Sequence, residues 1–251
     1  MTTKTLLAAA VAAAFTTPAL AAPVAVVTGP LTGPAASLDR AAEDAFTNGR
    51  RVVKMEDFEG FSAPTRNPVG SGAPAQISTA VGTFTDNDTR TVQSGKVPGQ
   101  GIGVLSAATT PFKGRFNTTV GGDNWLDSFD SEDVTWTFTP GNNWTGIGFF
   151  MTDVNDQGGD LTIDLLGAQG VDPITFPTSG DRNNRGWYVA ITFGGHNVTG
   201  LRFQANDAND ADGWSIDDVS AVAPVPLPAA AWLLATAMGG FGWVGRKRRG
   251  A

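Results

Sequence analysis

Cysteine is absent from all 251 residues. That excludes disulfides, thiolate metal sites and cysteine nucleophiles, and a domain of this size folds without cross-links. Histidine occurs once, as His196 in Gly194-Gly195-His196-Asn197, which reads as a solvated hairpin turn. A Ser-His-Asp triad has no other histidine to draw on. No Gly-x-Ser-x-Gly elbow, His-Glu-x-x-His helix, phosphate-binding loop or dinucleotide fingerprint occurs. Charged residues make up only 16% of the chain, and there is no long amphipathic helical pattern and no internal repeat. A secreted hydrolase, which in its glycosidase form needs two carboxylates flanking a sugar, is therefore the least supported of three functional readings.

Glycine (32) and proline (15) are abundant. They favour many short strands joined by turns. Fifteen Phe and seven Trp exclude disorder, because disordered chains lack aromatics to bury. Five cations, Lys4 and the four at 246–249, lie in end segments without Asp or Glu. The body between them therefore carries −12, against −7 for the whole chain. Such a surface repels phosphates and excludes nucleic-acid binding. It suits solubility outside the cell, or divalent cations.

Both ends are organised. Lys4, an apolar stretch over 6–15 and Ala19-Leu20-Ala21 make a positive n-region, a short h-region and an A-x-A site. Residues 1–21 read as a signal peptide cut by signal peptidase after Ala21. The apolar run is too short to span a bilayer; the competing reading is a buried N-terminal helix. At the other end, 17 uncharged residues (229–245) precede Arg246, Lys247, Arg248 and Arg249. As a helix they reach ~26 Å, near the lower limit for a ~30 Å hydrocarbon core. The basic cluster belongs on the cytoplasmic side, which leaves the body outside.

Val225-Pro226-Leu227-Pro228-Ala229, the apolar run and the basic end resemble the VPLPA-CTERM variant of PEP-CTERM sorting tails, over residues 225–251. Such tails occur in Gram-negative bacteria, often ones that make extracellular polysaccharide. The resemblance implies recognition by an exosortase and cleavage near the motif, much as a GPI signal loses its hydrophobic tail. A plain, uncut membrane anchor is the alternative.

Between a lead-in (22–51) and the tail (223–251), residues 52–222 read as one domain. Residues 22–36 look flexible. A short helix is expected over 38–46, capped by Ser37 and ended before Gly49. Strands are expected at 52–58, 101–105, 115–120, 134–139, 146–153, 161–166, 187–193, 199–205 and 214–222. Val134, Trp136 and Phe138 alternate with Thr135, Thr137 and Thr139, and Leu201 and Phe203 alternate with Arg202 and Gln204. Period two marks sheets with one buried face. The expected fold is an antiparallel β-sandwich of jelly-roll type, with 62–100 as long loops carrying short edge strands.

Three acidic clusters stand out. In an extended strand Val53, Met55, Asp57 and Glu59 share a face, and paired carboxylates there need a cation unless exposed. In Trp214-Ser215-Ile216-Asp217-Asp218-Val219 the apolar alternation slips at Asp217-Asp218, which predicts a β-bulge. The preceding 206–213 segment is rich in oxygen donors of the kind calcium takes. It is no EF-hand, because Ala208 and Val219 would fall at ligand positions 1 and 12. The third cluster, 153–160, reads as a turn. Asp57-Phe58-Glu59 with Trp214 to Val219 resembles the jelly-roll ectodomains of carbohydrate-binding-module and MAM-like type. There an early acidic residue and a late Asp bind structural calcium. The resemblance implies Glu59 and Asp217 as ligands, with Asp57 and Asp218 behind them.

Trp125, Trp144 and Trp187 fall near loops or strand starts, and Trp125 is the candidate for stacking on a sugar ring. Alternation puts Trp136 and Trp214 in the core. Asn87, Asn117, Asn143 and Asn197 begin Asn-x-Thr triplets, read as a by-product of Thr-rich strands. The first functional reading is an exported structural or adhesive protein of the cell envelope or extracellular matrix. The second is a carbohydrate-binding module for extracellular polysaccharide.

Overall fold

The computed structural model describes residues 21–32, 38–63, 65–68, 76–88, 100–108, 114–129, 131–155, 160–176, 185–206 and 213–225. In chain order the elements are β1 (Val24–Thr32), α1 (Ala41–Thr47), β2 (Arg51–Glu56), β3 (Thr65–Pro68), β4 (Gln76–Thr79), β5 (Gly82–Asp86), β6 (Gln100–Ser106) and β7 (Asn124–Asp127). They continue as β8 (Asp133–Phe138), β9 (Gly146–Thr152), β10 (Asp160–Leu166), β11 (Ile174–Thr175), β12 (Arg185–Thr192), β13 (Gly200–Asn206) and β14 (Ser215–Ala223).

The strands form two antiparallel sheets. The larger runs β1-β12-β9-β14-β7-β6-β3, with β2 also paired to β14; the smaller runs β11-β10-β13-β8-β5-β4. From β5 onward the chain crosses repeatedly between them. Side chains from both inner faces meet in one core. Trp136 stacks on Phe84 at 4.7 Å and meets Phe149 edge-on at 5.8 Å, while Phe203 lies 4.8 Å from Trp214. The alternation expected of β8 and β13 holds: Val134, Trp136, Phe138, Leu201 and Phe203 are buried, and their Thr, Arg and Gln neighbours face out.

The larger sheet is covered on its outer face as well. Leu38, Phe46, Phe150, Tyr188 and Val222 form a second apolar cluster there, which seats α1. This explains why β9 and β14 are buried along their whole lengths. Gly148 is the required residue beneath the helix, since a Cβ there would lie 2.2 Å from Tyr188 Oη and 2.8 Å from Phe46. Burial pushes the Tyr188 phenol upward in pKa.

Four expectations change. Residues 24–32 are not a flexible lead-in but an edge strand, because Val24 to Thr28 pair with β12. The helix starts later than expected, with Arg40 as its N-cap and no side-chain cap; Gly49, at φ 71°, follows its end. Residues 115–120 form a loop, since the amides of Thr118 and Thr119 go to a side-chain carboxylate and not to a neighbouring strand. β5 is an interior strand between β4 and β8, although the 62–100 stretch reads as loop and edge. The sorting tail beyond Val225, the 1–20 part of the leader and the 207–212 acidic loop lie outside the described residues. Among the described residues, no helix is long and apolar enough to cross a membrane.

Candidate functional site

The bulge expected in the last strand is present. The register of β14 against β9 slips between Asp217 and Ser220, and Asp218 adopts φ 49°. On its other edge β14 pairs with β7 at Ser215 and Ile216, and with β2 from Val219 to Ala223. Asp217 and Asp218 fall in the gap between those two partners, and the 114–123 loop fills it.

Asp217 is 1% exposed. Its Oδ2 accepts the Thr118 N–H at 2.6 Å, the Thr119 N–H at 3.1 Å and the Thr118 hydroxyl at 3.1 Å, and its Oδ1 accepts the Asp218 N–H at 2.8 Å. A carboxylate thus stands in for the carbonyls of a missing strand, which satisfies buried backbone donors. Burial, and then the neighbouring Asp218 charge, push the Asp217 carboxyl well above the usual range despite those N–H bonds. The left-handed turn at Asp218 sends its side chain to Arg40, whose Nη2 donates to Oδ2 at 2.7 Å. Thr119 Oγ1 donates to Asp218 Oδ1 at 2.8 Å.

Arg40 also donates to the Thr118 carbonyl at 2.8 Å and to Glu43 at 2.6 Å, and its guanidinium lies 4.9 Å above the Phe150 ring. Burial opposes its charge, but the bonds to Glu43 and Asp218 outweigh that and hold it more firmly protonated than a free arginine. The cation that the Asp217-Asp218 pair requires is therefore present within the chain, at the start of α1.

Glu59 holds the other end of the same loop. β2 stops at Glu56, so the face shared by Val53, Met55, Asp57 and Glu59 does not continue, and Met55 is 60% exposed. Phe58 takes φ 58° and turns the chain inward. Glu59 Oε1 then accepts Asn117 Nδ2 at 2.9 Å and the N–H groups of Asp123 and Asn124 at 2.8 Å each. Asn117 Nδ2 bonds the Asn124 carbonyl at 2.7 Å, while its Oδ1 is buried without a hydrogen-bond partner. Gly122 admits this approach, because a Cβ there would lie 2.3 Å from Glu59 Oε1. Asp57 Oδ1 accepts the Glu59 N–H at 3.2 Å and only shapes the turn.

Glu59, Asp217 and Asp218 thus converge on one loop without forming one cluster, and Asp57 stays apart from it. Among the described residues, no three His, Cys, Asp or Glu side chains gather closely enough to hold a metal. At the Glu59 end a hard cation would need the Asn117 amide reversed, since its Nδ2, not the orphaned Oδ1, now faces Glu59 Oε1 and the Asn124 carbonyl. At the Asp217–Asp218 end Arg40 and the loop amides already occupy the carboxylates. Arg40, Asn117, Thr118, Thr119 and Asn124 were not foreseeable as partners of these acids. The only trace of them was the Asn117-Thr118-Thr119 triplet, read as strand composition.

Trp125 requires correction. It is 1% exposed, packed with Leu105 and Phe129, and its indole N–H donates to Asp127 Oδ2 at 3.0 Å. Its ring faces are consumed by packing, so it offers no platform to a sugar. Asp127 in turn bonds Arg115 at 2.8 Å, and Arg115 reaches Asp153 at 3.3 Å, making a buried ionic group beside Trp125. Trp187 is also buried and Trp144 half-buried. Asp153 and Asn155 have positive φ at the turn after β9, as the third cluster requires. His196 donates its backbone N–H to the Phe193 carbonyl in a turn. A groove of about 600 Å³ between β1 and the segment before β11 is lined by Val27, Leu165, Val171 and Ile174, with Asp172 the only titratable residue among its described lining.

No family model matches the chain, and no curated protein sequence does. Among solved structures the chain is similar to the K2 cleaved adhesin domain of Lys-gingipain, at 15% identity and a TM-score of 0.39, over 67% of this chain and 98% of that one. A likeness that distant carries no functional argument.

Proposed function

We propose that this chain is an exported bacterial surface or extracellular-matrix protein with a structural or adhesive role, released from a membrane-held intermediate by an exosortase. The observation that carries this reading is the order of segments along the chain: leader, acidic body, Val225-Pro226-Leu227-Pro228-Ala229, apolar run and basic end. The fold is compatible with both cuts. Cleavage after Ala21 leaves β1 whole, and Val225, two residues past β14, is 55% exposed and so open to a processing enzyme. The body belongs to the jelly-roll type on this reading, given its repeated crossings between sheets. No catalytic role is included.

Calcium belongs to the same proposal as a structural cation. Glu59, Asn117 with its side-chain amide reversed, and the Asn124 carbonyl would hold it, and it would supply positive charge to oxygens that now accept from N–H groups. It would tighten the loop and take no part in chemistry.

Mass spectrometry of the protein recovered from cell fractions tests the export reading. The expected species starts at Ala22 and ends within 225–229. A full-length chain in the cytosol, uncut at both ends, overturns it.

A further inference from the structure

The chain enters and leaves the body at the same end. One row of paired residues crosses the larger sheet: Val24 of β1, Thr192 of β12, Gly146 of β9, Val222 of β14 and Val52 of β2. β1 begins in this row, and β14 ends one residue past it. Three strand spacings of ~4.8 Å put the entry and the exit about 14 Å apart. The turns at 139–145 and 193–199 share this end. The Phe193 N–H bonds the Thr145 carbonyl, and a Cβ on Gly194 would lie 2.0 Å from the Ala21 carbonyl oxygen.

This end differs from the opposite one in charge and in polarity. Arg51 lies opposite Ala223 and Lys54 opposite Ala221. Both are exposed, and among the described residues neither is ion-paired. Arg50 precedes them, with its guanidinium 4.8 Å above the Phe46 ring, a contact that leaves its charge in place. The carboxylates of these segments are Asp172, in the groove with Pro23, Asp44 on α1, and Glu56, whose oxygens accept the Phe58 and Ala80 N–H groups. The opposite end, about 17–20 Å away along the strands, carries Asp86, Asp88, Glu132, Asp133 and Asp160. Exposed large apolar side chains also gather where the chain enters and leaves. Val24 and Val52 stand in the row, Val225 beyond it, and Val26 and Met55 further along β1 and β2. Cations set among exposed apolar side chains match a lipid–water interface, which takes both.

The length of the connecting chain sets how far this end stands from lipid. Four residues lead from Val225 to Ala229, where the apolar run begins. Fully extended, they reach at most about 14 Å. The headgroup layer takes up about 5–7 Å of that. The end of the sandwich is then held within about one Debye length, ~8 Å, of the lipid surface. The carboxylates at the far end lie beyond that range. Arg50, Arg51 and Lys54 therefore decide the sign of the interaction with an anionic surface, although the body as a whole is acidic.

We propose that this end of the sandwich docks on anionic phospholipid headgroups. Arg51 and Lys54 make the main contacts, with Arg50 behind them, and Val24, Val52 and Val225 enter the headgroup layer. The inference rests on the membrane-held tail and goes beyond it. A tail alone leaves the body tumbling on its leash. Docking instead fixes the 225–229 segment against the membrane surface, where a membrane-embedded processing enzyme meets it.

The chain has no cysteine, so one introduced thiol carries one label. The full-length chain is labelled with a fluorophore at Asn143→Cys, in the turn at the docked end, or at Asn87→Cys, at the far end. It is reconstituted into vesicles of phosphatidylcholine alone, or of equal parts phosphatidylcholine and phosphatidylglycerol, with a headgroup nitroxide as quencher. In the anionic vesicles the Asn143 label should be quenched much more strongly than the Asn87 label, and more strongly than in phosphatidylcholine alone. The double variant Arg51→Glu, Lys54→Glu should lower the ratio of docked to free body at least about tenfold. Salt at ~1 M, where the Debye length is ~3 Å, should do the same to the unaltered body, which guards against a folding defect in the variant. Three results overturn the docking: equal quenching at both positions, equal quenching of the Asn143 label in the two vesicles, or quenching that neither charge reversal nor salt reduces. A chain that floats with neither vesicle overturns the membrane-held tail along with it, so the two failures are told apart.

Discussion

Arg40 Nη2 donates to Asp218 Oδ2 at 2.7 Å, joining residues 178 positions apart. The contact ties α1 to the bulge of the last strand, and through the Thr118 carbonyl it also ties both to the loop between β6 and β7. Three segments that are distant in sequence share one guanidinium.

Replacing Arg40 with Met should therefore cost more than an exposed ion pair. It leaves Asp218, 7% exposed, without its cation beside Asp217. Arg40 is itself 26% exposed, so the loss should fall between the ~1 kcal/mol of an exposed pair and the ~3 kcal/mol of removing one partner from a buried one. Urea unfolding should show this loss, and the double variant Arg40→Met, Asp218→Asn should recover part of it. A loss below about 1 kcal/mol would place the pair in the surface class.

Asp217 makes stability depend on pH. Its carboxyl holds a proton more tightly in the folded chain than in the unfolded one. The folded state then binds more protons, so this residue's contribution to stability is best below the unfolded value of about 4. That contribution falls as pH rises from there through the raised folded value. Asp217→Asn removes this slope. The stability of the native chain minus that of the variant should decrease from pH 4 upward in urea melts. An increase would mean that the buried carboxyl ionises readily.

Calcium should act through Glu59. A ligand bound only to the folded state raises the melting temperature with its concentration. Millimolar calcium should raise that of the native chain, and Glu59→Gln should abolish the response. The variant should also be less stable without calcium, because an amide matches the three N–H groups that now meet Glu59 Oε1 poorly. A melting temperature indifferent to calcium removes the cation and leaves Glu59 as a loop clamp.

Much of the sandwich was legible because period two is a local signal. Val134, Trp136 and Phe138 declare a buried face wherever their strand sits, and so do Leu201 and Phe203. The phase slip at Asp217-Asp218 is equally local, and the bulge followed from it. β1 and β5 were misread because a Val-bearing edge strand set in an Ala-, Pro- and Gly-rich segment, and a short interior strand with two Thr, declare themselves only beside their partners. Residues 115–120 contain Phe, Thr and Val, which favour strands, yet the Thr118 and Thr119 amides go to Asp217 and that of Phe116 to Thr152 Oγ1. Trp125 read as a platform because neither Asp127 nor the covering Leu105 and Phe129 can be placed by position in the chain.

The sequence alone determined the all-β character, the acid excess of the body, and the segments at both ends that argue for export, since composition and periodicity carry those signals. Only the tertiary structure decided what the acids do. Whether a carboxylate meets a metal, an arginine or a row of amides depends on which distant segments fold against it. Here Asp217 and Asp218 meet Thr118, Thr119 and Arg40, brought together by the gap between two strands on one edge of β14.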